Sequence, residues 1–317
     1  MKAVFLDVAS LDQQDLDLTV LQQQFAELTL YPKTAKHEVL ARVQSTDVII
    51  TNKVVIDADV IKQCPTLKLI LISATGTNNV DLAYAKQQGI VVCNCQGYGT
   101  AAVAQHTLML MLNLATSFAQ YQQAVQQGQW NQSEQFCLLD FPIVELQGKT
   151  LGILGYGELG QAVARLAKAF GMQVVVGQLP NRPVDASRLT FEALLQQADF
   201  ISLHCPLTDD TRDLIDEAAF NQMKPSAFLI NCARGGIVKE AALLQALKTG
   251  RIAGAAIDVL MVEPPKAGNI LLDAALPNLL ITPHSAWGSV DARQRIVQQM
   301  LENTQAFMAG QPIRQVN

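Results

Sequence analysis

Three side chains in the second half of the chain carry the chemistry needed to handle a small carboxylic acid. Arg234 follows an apolar run and precedes Gly235-Gly236, Glu263 precedes Pro264-Pro265, and His284 follows Leu280-Ile-Thr-Pro283. A guanidinium grips a carboxylate through two parallel hydrogen bonds. An imidazole delivers or removes a proton near neutral pH, and a neighbouring carboxylate orients the ring and favours its charged form. Taken singly, each has an ordinary alternative: Arg234 as a helix cap or surface partner, Glu263 as a solvated turn acid, His284 as a satisfied loop histidine. What joins them is position. Each stands at or just past the end of an apolar, strand-like run, and ligands of α/β folds bind outside strand C-terminal ends.

A second reactant has its own seat upstream. Residues 151–160 read LGILGYGELG, and QAVARLAKAF follows with apolar residues at helical spacing. That is strand, glycine turn, helix. Gly155 permits the tight turn, Gly157 lets a pyrophosphate approach the backbone, and Gly160 lets helix and strand pack closely. The helix N-terminus presents unpaired N–H groups and a partial positive charge to the phosphates. Dinucleotide binding is the expectation; a purely structural βα turn is the alternative.

The elements that must hold these residues are legible as an alternating pattern. Residues 2–7, 28–31, 48–51, 67–72 and 90–93 read as buried strands, with helices at 18–26, 35–44, 58–64 and 80–88 between them. Strict βα alternation predicts a parallel sheet covered on both faces. Between them, Ser73-Ala-Thr75-Gly76-Thr-Asn78-Asn-Val-Asp81 is a small polar loop whose free N–H groups suit a carboxylate. A capped loop opening the next helix is the alternative. Gly97-Tyr98-Gly99 reads as a hinge, followed by a long apolar helix over 101–119 in which His106 is a packed or cap-like histidine. Residues 118–149 are glutamine-rich, with Trp130, Phe136 and Phe141 spaced through them. An arm of that kind packs on a partner subunit or on its own domain. After the glycine turn, strands are expected at 173–177, 200–204, 227–231, 254–259 and 279–283, then an amphipathic helix from Asp291 that returns to the first domain.

The predicted fold is therefore α/β, with two doubly wound parallel-sheet domains. Residues 1–99 and 289–317 form a flavodoxin-like substrate domain, and residues 100–288 an inserted Rossmann cofactor domain. A chain of 317 residues is too long for one typical core, and 50% apolar with 16% charged residues describes a folded globule. A net charge of −5 disfavours nucleic acid and anionic membrane surfaces as partners. No secretory signal is visible, and the longest apolar stretch, near residues 108–112, is too short to span a bilayer. The six cysteines show no CxxC pair and no His/Cys ligand spacing, which predicts reduced, buried thiols in a cytoplasmic protein and no metal site.

Several longer segments carry a family resemblance: ATGTNNVD (74–81), GYGTAAVAQHTL (97–108), GILGYGELGQAVARLAKAFGM (152–172), HCPLTDDTRDLID (204–216), MKPSAFLINCARGGIVKEAAL (223–243), GAAIDVLMVEPP (254–265) and TPHSAW (282–287). Over nearly its whole length the chain resembles the D-isomer-specific 2-hydroxyacid dehydrogenases, most of all the branch with glycerate dehydrogenase and hydroxypyruvate reductase. The resemblance implies that Arg234 binds the substrate carboxylate and helps polarise the keto group. It makes His284 the general acid of reduction and Glu263 its partner. Thr75 and Gly76 become backbone donors to the carboxylate. Gly155, Gly157, Glu158, Leu159 and Gly160 form the pyrophosphate turn. Thr100, Cys205, Pro206, Thr211, Cys232, Ala233, Asp258 and His284 lie where the family contacts its nicotinamide cofactor.

Two departures qualify this picture. Where NAD-specific relatives carry an acid to hold the adenosine ribose, this chain has Gln178, with Arg182 close by, so NAD or NADP is the expected cofactor. Gln105 stands where the family usually has glutamate. Trp287 and the arm residue Trp130 resemble the glycerate and hydroxypyruvate branch, in which an arm tryptophan walls the neighbouring subunit's substrate site. The expected function is reduction of hydroxypyruvate or glyoxylate by a homodimer. The alternatives are a relative acting on D-lactate or phosphite, and a dinucleotide-sensing, corepressor-like binding protein.

Overall fold

A computed structural model describes residues 1–183 and 185–317, which divide into two compact units, Met1–Gly99 with Gly288–Asn317, and Thr100–Trp287. In the first unit five strands pair in parallel: β1 (Lys2–Phe5), β2 (Glu27–Leu30), β3 (Val48–Thr51), β4 (Leu69–Ile72) and β5 (Val91–Cys93), in the order β2-β1-β3-β4-β5. Every residue of β3 and β4 is buried, as expected of strands covered on both faces. The connecting helices α1 (Thr19–Gln22), α2 (Val39–Val43), α3 (Ala58–Lys62) and α4 (Leu82–Gln87) are shorter than the sequence pattern suggests. Part of the expected second helix is a 3-10 turn, Lys36–Glu38. Asp57 and Asp81 cap α3 and α4 by accepting from Val60 N and Tyr84 N.

The second unit begins with α5 (Thr100–Ala115), whose buried residues Val103, Ala104, Thr107, Leu110, Met111 and Leu114 recur at helical spacing. The expected helix over 101–119 is broken. Ser117 adopts φ 50 and its Oγ donates to Pro142 O, so α6 (Phe118–Gln126) starts in a new direction. Then follow β6 (Thr150–Leu154), α7 (Glu158–Ala169), β7 (Gln173–Gly177), α8 (Phe191–Gln197), β8 (Phe200–Leu203), α9 (Glu217–Gln222), β9 (Phe228–Asn231), α10 (Glu240–Lys248), β10 (Gly254–Ile257), α11 (Ile270–Asp273) and β11 (Leu279–Ile281).

The six strands pair in parallel in the order β11-β10-β9-β8-β6-β7. A single parallel bridge between Gly177 and Leu189 extends the β7 edge by one residue, which no run of apolar residues announces. Strand order reverses beside β6, whose outer neighbour is β7 and whose inner neighbour is β8. A crevice at strand C-terminal ends opens at such a switch point. Two apolar clusters fill the faces of this sheet, one around Leu203, Phe220 and Leu243, the other around Met111, Val163 and Phe200.

The chain closes the first unit with α12 (Val290–Met308). Ser289 caps it, and Ile296, Val297 and Met300 are fully buried. Arg293 holds both oxygens of Asp15 at 2.7 and 2.6 Å. The last residues add an antiparallel edge to β5, with Val316 N donating to Val92 O and the Asn317 side chain bonding Val92 N and Ile90 O.

Candidate active site

The glycine turn sits at the switch point, between the C-terminal end of β6 and the start of α7. Gly155 has φ +95, and a Cβ on it would lie 2.4 Å from Cys205 N; a Cβ on Gly160 would lie 2.2 Å from Gly155 O. Those two glycines are demanded by the protein's own packing. Gly157 differs, because a Cβ there meets nothing within 4 Å. Packing within the protein therefore does not demand a glycine there. Gly157 is also the N-cap of α7, with no side-chain cap bond, so the first N–H groups of the helix stay open for an anion. Beside them, Thr100 Oγ1 donates to Glu158 Oε1 at 2.7 Å, tying the start of α5 to the start of α7, and Leu159 is partly buried.

An open cleft of about 580 Å³ runs from this turn to the end of β7, lined by Gly155, Gly157, Gln178, Arg182, His204 and Pro206 among others. Gln178 Nε2 donates to the carbonyls of Arg182 and Pro183, bending the loop after β7 back toward the strand. Arg182 is exposed, and Arg188 lines the same cleft, paired to Asp185 at 3.0 Å. The cleft wall thus has two cations against one acid, and that acid is already engaged. The glycine cradle, the open helix end and the cationic far wall together fit a dinucleotide.

His204 forms part of the floor. Its Nε2 lies 2.8 Å from Ser202 Oγ, while Nδ1 is sealed from solvent with no hydrogen-bond partner among the described residues. Burial pushes this imidazole down to about 4. Cys205 is buried beneath the turn, and Thr211 shapes the adjoining loop by donating to Pro206 O and accepting from Thr208 N.

The three chemical side chains stand at the ends of β9, β10 and β11, which are neighbours in the sheet. Arg234 follows β9, is exposed, and bonds Ala233 O through Nη1 at 2.7 Å. Asn231, fully buried, braces that loop: its Oδ1 accepts from Ala233 N and its Nδ2 donates to Arg234 O. Next to Arg234, a Cβ on Gly235 would lie 2.1 Å from the Leu260 backbone, so the loops carrying Arg234 and Glu263 touch main chain to main chain. Glu263 Oε1 accepts from Leu260 N at 2.7 Å, and Oε2 lies 2.5 Å from His284 Nδ1. A carboxylate on Nδ1 fixes the ring's tautomer and leaves Nε2 as the working atom. His284 itself has φ 52.

The remaining candidates spread more widely. Cys232 and Ala233 are buried at the end of β9, and burial pushes the Cys232 thiol up to about 12. Asp258, 2% exposed, directs its carboxylate at Thr282, Ser285 and Ala286. Trp287 is partly buried against the second unit's core. Trp130 is half exposed in a 3-10 turn, its Nε1 donating to Phe136 O. Thr75 and Gly76 belong to the first unit, in the loop after β4, where Thr75 is exposed and its Oγ1 donates to Cys95 O. Sequence reasoning passed over His204, Arg188, Asn231 and Thr282. Arg188 is brought to the cleft beside the one-residue bridge at Leu189 and its pairing with Asp185, and Asn231 looks in sequence like any polar strand end.

Residues 108–286 match the model of a family described as D-isomer specific 2-hydroxyacid dehydrogenase, NAD binding domain. A glycerate dehydrogenase of Methylorubrum extorquens is 47% identical over 96% of this chain and 97% of that protein. A hydroxypyruvate reductase of Blautia hydrogenotrophica is 35% identical over the whole of both chains. Among solved structures, a D-2-hydroxyisocaproate dehydrogenase superposes with a TM-score of 0.86 at 27% identity, covering 100% of this chain and 99% of that one.

Proposed function

The chain belongs to the D-isomer-specific 2-hydroxyacid dehydrogenase family, and from that premise we propose that it reduces hydroxypyruvate or glyoxylate, yielding D-glycerate or glycolate. The observation that carries the reading is the Glu263–His284 pair beside Arg234 on three neighbouring strand ends. Names of relatives with high coverage, glycerate dehydrogenase and hydroxypyruvate reductase, support the substrate class.

The chain's own residues divide the work. Arg234 binds the substrate carboxylate with its guanidinium fork and helps polarise the 2-keto oxygen. His284, held through Nδ1 by Glu263, gives a proton from Nε2 to that oxygen in reduction and takes it back in oxidation. Glu263 keeps the ring oriented through Nδ1. Thr75 and Gly76, in the loop after β4, have backbone donors suited to a carboxylate. Gly155, Gly157, Glu158, Leu159 and Gly160 form the turn that holds the cofactor's pyrophosphate at the start of α7. The nicotinamide group, when bound, supplies or accepts the hydride. Gln178 cannot repel a 2′-phosphate, and Arg182 with Arg188 suits one, so NADPH is accepted alongside NADH. The arm's exposed apolar side chains support a homodimer, and six unpaired cysteines support a cytoplasmic setting.

Initial rates with hydroxypyruvate, glyoxylate and pyruvate, each with NADH and NADPH, test this reading. Rapid turnover of the first two is expected, and no turnover of any of the three with either cofactor would overturn it. His284→Ala is expected to lower kcat by about 10²–10⁴-fold while cofactor still binds.

A further inference from the structure

Asp258 is the most buried carboxylate near the chemistry, yet its partners are all in one short loop. Its Oδ1 accepts from Thr282 Oγ1 at 2.5 Å and from Ser285 N at 3.0 Å, and its Oδ2 accepts from Ala286 N at 3.1 Å. These donors bracket His284, whose own N–H goes to Asp258 O at 2.8 Å. The clamp has something to resist. His284 sits at φ 52, a left-handed backbone that is unfavourable for a side-chain-bearing residue and persists only when its surroundings enforce it.

One more residue completes the clamp from outside the loop. His106 Nε2 on α5 lies 3.0 Å from Thr282 Oγ1 and is 176 residues away in sequence. Its distance to Asp258 Oδ1, 3.6 Å, is too long for a direct hydrogen bond. A hydroxyl has one hydrogen to give, and Thr282 gives it to Asp258. The contact from His106 must therefore be an N–H donor. The chain of bonds runs one way, from His106 Nε2–H to Thr282 Oγ1–H to the Asp258 carboxylate, and ends on the backbone flanking His284.

We propose that His106 is a positioning residue for His284, acting through Thr282 and Asp258. Helix α5 is anchored along its length by buried Val103, Thr107 and Leu110. It serves as the fixed post against which the loop's hydroxyl is oriented. Without the donor, the Thr282 oxygen keeps an unsatisfied lone pair, the clamp loosens, and the working Nε2 of His284 leaves its place over the keto oxygen. A misplacement of about 1 Å at a reacting group costs on the order of 10²-fold in rate. Arg234 and the glycine turn are untouched, so substrate and cofactor binding persist.

The proposal rests on His284 as the acid–base group, and the test separates the two. His106→Phe removes the donor and keeps the ring; His106→Gln keeps an N–H donor at a similar reach. The expected result is kcat down about 10–100-fold for His106→Phe, with KM for the keto acid and the NADH dissociation constant, read by fluorescence, within two-fold of the unaltered protein. His106→Gln is expected to recover to within about three-fold. Thr282→Val and Thr282→Ser repeat the contrast at the next link, and decide the matter alone should His106→Phe fail to fold. In a ¹⁵N-histidine spectrum at neutral pH, the signal lost in the His106 variants is expected to report protonated Nε2. Equal kcat in the donor-free and donor-keeping variants, or an Nδ1–H tautomer at His106, overturns the proposal. Full activity of His284→Ala in the same assay would instead overturn the reading of the site beneath it.

Discussion

His204 pays for its place in the floor of the cleft. Its imidazole is driven down to about 4 by burial, against the usual 6.5 of a solvated ring. Below pH 6.5 the unfolded chain takes a proton there that the folded chain refuses, so stability falls as pH drops from about 6.5 to 4. A shift of that size is worth about 3 kcal/mol at its full extent. Urea unfolding of the cofactor-free protein at pH 7 and pH 4.5 is expected to show this loss, and His204→Gln to remove most of it. At this scale the sequence was informative in a specific way. Arg234, Glu263 and His284 could be singled out because each follows a strand-like run by three to six residues, so position along the chain points to one end of the sheet. His106 looks like a packed histidine because its acceptor, Thr282, is 176 residues distant, and only the folded sheet brings the two together.

Elements behave as the glycines dictate. In the turn before α7, Gly160 has no room for a methyl group, while Gly157 has all the room it needs. Gly160→Ala is expected to destabilise the fold by about 3 kcal/mol, as overpacking against a backbone oxygen does. Gly157→Ala is expected to leave unfolding unchanged to within about 0.5 kcal/mol and to weaken NADH binding at least ten-fold. Equilibrium unfolding and fluorescence titration of the two variants check both halves. The strand–turn–helix pattern and the βα alternation were readable because β3, β4 and β6 to β10 are short apolar runs set between caps and glycines. Helix lengths in the first unit were not, since propensity does not say when the chain must turn back to the sheet. Neither was the break at Ser117: its left-handed backbone is held by Pro142 O, 25 residues on.

For the whole molecule, the segment from Phe118 to Ile143 sets the expectation. Phe118, Trp130, Phe136, Leu139 and Ile143 are all at least half exposed, Phe136 at 90%. Uncovered apolar surface of that kind supports the proposed homodimer. Light scattering is expected to give about twice the 34.4 kDa chain mass, and Phe136→Asp combined with Leu139→Asp to give the single-chain mass.

The division of the chain has a consequence for its birth. The second unit is one unbroken stretch, whereas the first is finished only by α12 and the tail that pairs with β5. On the ribosome, at roughly 5–20 residues per second, the opening βα repeats emerge and then wait about 10–40 s for their last helix. The middle of the protein is free to fold in that interval, so the lobe that is translated first is the one that matures last.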